Sequence, residues 1–87
     1  MHLMTTRRKI AEIVGWYGAV AIVGAYALIS FNILEANDIT YQLLNLTGAL
    51  GIIYISLVKG VKQSVALNAF WAVIATAALI GIIADLY

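Results

Sequence analysis

Among the side chains that combine hydrogen-bonding capacity with a place inside long apolar stretches, Gln42, Asn45, Asn68 and Trp71 have the types and spacing to hold a ligand. In the stretch from Tyr41 to Gly51, Gln42 and Asn45 are three apart and Tyr41 and Asn45 four apart. A helix therefore sets all three on adjoining parts of one face. Gly48 continues that face one turn further on, where the lack of a side chain lets another helix come close. Inside a bilayer an amide costs free energy unless a neighbour satisfies it. The two amides then either tie helices together, at about 0.5–2 kcal/mol per bond, or line a cavity for a solute or a lipid headgroup. Asn68 and Trp71, three apart, make a second pair: an amide and an indole can hold a small polar ligand by one hydrogen bond and one flat apolar contact. The structural alternative has Trp71 anchored at a membrane interface and Asn68 bonded to a backbone carbonyl. These four are the candidate ligand-binding residues.

Other chemistry lacks its parts. There is no Cys, hence no disulfide, thiolate metal site or cysteine nucleophile, and the single histidine, His2, cannot make a metal site alone. Glu12, Glu35, Asp38 and Asp85 all fall at segment ends, which argues against a proton relay, a voltage sensor or a charged-substrate carrier. The hydroxyl residues within the apolar segments have no His or Lys beside them to act as base. The expectation is a protein that is not an enzyme, with no catalytic residue, metal or cofactor. A formal charge of +1 is too small to point to nucleic acid.

The elements that must position these residues follow from composition. With 64% hydrophobic and 10% charged residues and a mean hydropathy of +1.02, the chain falls among membrane proteins. Its 87 residues allow one domain, 1–87. Residues 13–34 carry no formal charge and would rise about 33 Å as a helix. Spans two and three are expected over 39–58 and 65–84, with Asp38 and Ser64 as N-caps and Gly60 as the C-cap of the second helix. The fold expected is an all-α membrane protein, a compact bundle of three transmembrane helices.

Charge placement orients it. Arg7, Arg8 and Lys9 precede span one, and Lys59 and Lys62 separate spans two and three, whereas the first connection and the C-terminus have no Lys or Arg. Basic flanks favour the cytoplasm, so the N-terminus reads as inside and the C-terminus as outside. Trp16, Tyr17, Tyr41, Trp71 and Tyr87 lie near segment ends as interfacial belts would, with Trp71 also deep enough to face the bundle. The first apolar run is too long for a signal peptide and no A-x-A-like site closes it, so it reads as a retained span.

By depth, the polar residues fall into two layers. Asn32, Gln42 and Asn45 lie with Glu35, Asp38 and Asp85 toward the outer end, and Tyr17, Ser56, Asn68 and Trp71 toward the inner. Asn45 and Asn68 are separated by about 20 Å of helix rise, so a direct bond between them is not expected. Small residues are plentiful, including Gly15, Gly18, Ala21 and Ala25 on span one and Gly48, Ala49 and Gly51 on span two. They fit close packing, with surface left for self-association.

Tyr41-Gln42-x-x-Asn45-x-x-Gly48-Ala49, Ser64-Val65-x-Leu67-Asn68-x-x-Trp71 and Gly15-Trp16-x-Gly18-Ala19 with Ala25-Tyr26 resemble the CBU-type family of small bacterial membrane proteins, over about residues 13–80. That resemblance implies three spans, a bacterial cytoplasmic membrane and no assigned activity. A more distant likeness is to the PQ-loop half-transporters, the SemiSWEETs, which dimerise around a sugar path and bear a pocket Asn on the third span, here Asn68. Their signature Pro-Gln is absent, since the chain has no Pro.

Two functions are expected from these features. The first is a homo-oligomeric, half-transporter-like unit for a small uncharged or polar solute, with membrane lipids and copies of itself as partners; three helices alone enclose too little to form a path. The second is a structural or accessory subunit whose polar faces dock onto other membrane subunits.

Overall fold

The computed structural model describes residues 2–86, with side chains from Thr6 onward; Tyr87, expected in an interfacial belt, lies outside them. The described residues form three helices and no strand: α1 His2–Ser30, α2 Ile39–Lys59 and α3 Lys62–Leu86. Each is long and apolar enough to cross a membrane.

Helix α1 starts well before residue 13 because its polar segment, rich in Arg, Lys, Ala and Glu and free of Gly and Pro, suits a helix as well as the apolar part does. It stops at Ser30, short of Leu34. Asn32 turns left-handed, with φ 62°. Its N–H donates to the Ile29 carbonyl at 3.2 Å, and that of Ile33 donates to the Leu28 carbonyl at 2.9 Å. That pair of bonds is a Schellman closure, and Asn is one of the few side-chain-bearing residues that tolerates it.

The same closure ends α2 at Gly60, with φ 73° and bonds from Gly60 N–H to Leu57 O and from Val61 N–H to Ser56 O. Two residues then join α2 to α3, too few for anything but antiparallel neighbours. Ser64 is not the N-cap of α3. The helix begins at Lys62, and Ser64 lies within its first turn.

Helix α2 is the shared partner. It packs on α1 and on α3, while no Cα of α1 comes within 8 Å of a Cα of α3. Within the three-helix arrangement α2 is therefore central, with one seam to α1 and another to α3. Burial follows this order: a third of the most apolar stretch of α2 is buried, less of α1 and least of α3.

The α1–α2 seam is a backbone contact. A Cβ placed on Gly18 would lie 2.5 Å from the Gly48 carbonyl oxygen, and one on Gly48 would lie 3.0 Å from that of Gly18. Tyr17 and Thr47 hydroxyls meet across the seam at 2.7 Å. Thr47 gives its own proton to the Leu43 carbonyl, so Tyr17 donates and Thr47 accepts. The buried apolar core is mostly alanine, namely Ala11, Ala21, Ala25, Ala49 and Ala75, with Leu79. Large side chains such as Val23, Tyr26, Phe31, Phe70 and Val73 point outward and are exposed. Small residues within and large apolar ones without is the reverse of a water-soluble domain.

Candidate functional site beneath the first loop

The connection between α1 and α2 is folded on itself. The Asp38 carboxylate accepts the Glu35 backbone N–H at 2.7 Å, and the Asp38 N–H returns to the Glu35 carbonyl at 3.0 Å. Asp38 does occupy the N-cap position of α2, with φ −80° and ψ 133°, but its side chain makes no cap bond. The carboxylate is engaged in the loop instead. This turn fixes Ala36, whose carbonyl accepts the Gln42 side-chain Nε2–H at 2.7 Å. Gln42 thus ties helix to loop rather than helix to helix.

Beneath that loop, Tyr41, Gln42 and Asn45 of α2 and Trp71, Ile74 and Ala75 of α3 line a cavity of about 230 Å³, with Ala36 at its edge. Asn45 is only 7% exposed, yet its side chain makes no hydrogen bond to any described residue. Its carbonyl oxygen can accept and its amino group can donate twice. Gln42 keeps a second N–H and its oxygen. Trp71, half-exposed, adds an indole face. No formally charged residue lies in the wall. The chemistry on offer is neutral: paired donors and acceptors beside flat apolar surface, suited to a small uncharged polar molecule.

The polar residues toward the basic end are arranged differently. Ser56 Oγ of α2 donates to Ser64 Oγ of α3 at 2.7 Å. Asn68, 8% exposed, donates from Nδ2 to the Ser64 carbonyl at 2.9 Å and reaches Ser64 Oγ at 3.5 Å. Asn68 and Ser56 therefore belong together through Ser64, as the second seam's polar tie.

Trp71 and Asn68 do not line the same wall here. Trp71 lines the cavity beneath the first loop with Gln42 and Asn45, and Asn68 is absent from its lining. Tyr17, expected with this inner group, bonds Thr47 instead. Of the outer group, Asn32 ends α1 through its backbone. Sequence reasoning gave Ser64 the wrong task; the Ser64–Asn68 spacing of four was the available signal, since an i to i−4 return bond needs that spacing.

Comparison with known proteins agrees with the family resemblance. No curated protein and no solved structure matches the chain. Residues 11–85 match a protein-family model, and the chain belongs to that family, the uncharacterised CBU-type family.

Proposed function

We propose that this chain is an integral protein of a bacterial cytoplasmic membrane, N-terminus inside, and that copies of it associate into a half-transporter-like unit for a small uncharged polar solute. Three observations support the membrane placement: three helices of sufficient length and apolarity, an apolar exterior, and all Lys and Arg at one end. The observation that carries the solute reading is Asn45. It is largely buried as a residue and has no protein partner, but its polar atoms are not sealed off, since no enclosed side-chain nitrogen or oxygen among the described residues goes unpaired. They open onto a neutral cavity whose contents must supply their hydrogen bonds. A water or a solute does so. Gln42 and Trp71 complete the contact, and the Ser56–Ser64–Asn68 tie lies toward the inner end of the same seam. Such a path, like that of the PQ-loop half-transporters, requires walls from a second copy.

A specific observation also favours the accessory reading: α3 has the least buried apolar stretch, so it leaves a long face for another membrane subunit. Flux of small neutral solutes into proteoliposomes, followed by light scattering, separates the two. Solute entry above that of empty vesicles, reduced at least about tenfold in Asn45→Leu with helicity and copy number unchanged, supports the solute path, since one lost buried bond to a ligand costs about 1–3 kcal/mol. Loss of assembly in place of loss of flux supports the accessory role.

A further inference from the structure

A second cavity, of about 350 Å³, opens at the basic end of the molecule, between α1, the last turns of α2 and the start of α3. Its walls are apolar where it runs along the helices: Trp16 and Ala19 on one side, Ile52 and Ile55 on the other. Its mouth is charged. Lys59 and Glu12 form an ion pair there, with each side chain about two-fifths exposed. The same carboxylate is flanked by Arg8 and Lys9, which with Glu12 and Ile13 line an adjoining surface hollow. Arg7, Arg8, Lys9 and Lys62 are all exposed, and Glu12 is the one acid in this end of the sequence.

We propose that this groove binds one anionic phospholipid, with its phosphate at Lys59 and Arg8 and the first part of an acyl chain against Trp16, Ala19, Ile52 and Ile55. Two features of the site fix the occupant. Cations outnumber the single carboxylate, so a headgroup of net negative charge is complementary, and basic pockets between spanning helices on the cytoplasmic side recognise such headgroups. The apolar wall continues directly from the charged mouth, which fits a molecule that is ionic at one end and aliphatic at the other. A free phosphate would use only the mouth. The inference rests on the membrane placement proposed above, but not on the solute path.

Glu12 sets the sign of the test. It holds Lys59, so its neutralisation frees an ammonium for the phosphate. The full chain is reconstituted in nanodiscs of phosphatidylcholine with a minor fraction of phosphatidylglycerol, and lipids retained per chain are counted by native mass spectrometry. One phosphatidylglycerol per chain is expected to be retained in preference to phosphatidylcholine. Lys59→Gln should lower that retention about fivefold, one basic contact's share, and Glu12→Gln should raise it. Ala19→Phe, which leaves every charge in place but fills the groove, should abolish it, and Ile55→Phe serves where Ala19→Phe lowers helicity. Unchanged retention in the filled groove would overturn the proposal in favour of diffuse attraction to the basic residues. Equal retention of the two lipids, or a fall in Glu12→Gln, would overturn it as well. Asn45→Leu should keep the lipid while losing solute flux. Failure to co-float with vesicles would instead overturn the membrane placement, so the failures are distinguishable.

Discussion

Asn45 and Gln42 are three residues apart and have the same functional group, yet the structure gives them different situations. Gln42 is long enough to reach the Ala36 carbonyl; Asn45, one methylene shorter and a turn deeper, reaches no partner and lines the cavity. Replacing Asn45 by Leu should therefore stabilise the fold or leave it within about 1 kcal/mol, because no protein bond is broken and an unpaired amide is removed. Gln42→Leu should destabilise it by about 1 kcal/mol or more, by freeing the connection. Reversible unfolding in mixed micelles, followed by circular dichroism, checks the pair, and a larger loss for Asn45 than for Gln42 would show that Asn45 is a packing residue after all.

The seam glycines are separable in the same way. Gly18→Ala pushes a methyl into the Gly48 carbonyl, which cannot rotate away, and should cost about 1–3 kcal/mol. Gly24 has nothing within 4 Å of where its Cβ would stand, so Gly24→Ala should be neutral or stabilising by up to about 1 kcal/mol. The face made by Tyr41, Gln42, Asn45 and Gly48 was legible from spacing alone, because helical period fixes which side chains share a side. Which neighbour each residue meets was not. That depends on side-chain reach and on how the loop folds over the helix end, as Ala36 shows.

At the scale of the elements, helix ends were less legible than helix cores. The charge-free run to Leu34 reads as continuous helix, but hydropathy carries no information on where the backbone turns left-handed, and Asn32 decides it. Gly60 was legible because a glycine after a basic last turn is the usual left-handed terminus. Asn32→Val should cost about 1–2 kcal/mol, as a β-branched residue resists positive φ. Asn32→Gly should be close to neutral. A double-mutant cycle on Ser56→Ala and Ser64→Ala should give a coupling of about 0.6–1.7 kcal/mol, the range for hydrogen bonds between helices in a membrane. A coupling near zero would mean that the hydroxyl pair does not hold α2 to α3.

At the scale of the whole molecule, composition made three apolar helices legible, and their short connections made neighbours antiparallel. It could not say that the backbones of α1 and α3 make no close contact. That follows from the seams: glycines bring α1 against one part of α2, while Ser56 and Ser64 join α3 to it elsewhere. The arrangement leaves the cavity beneath the first loop and the apolar side of α3 without further walls from the same chain, and the proposed half-transporter takes those walls from a second copy. Native mass spectrometry of the protein gently extracted from its own membrane tests this most directly. A discrete dimer, or another small homo-oligomer, is expected, carrying a neutral adduct that disappears in Asn45→Leu. Recovery mainly with unrelated subunits, or as a clean monomer without adduct, would contradict the shared solute path.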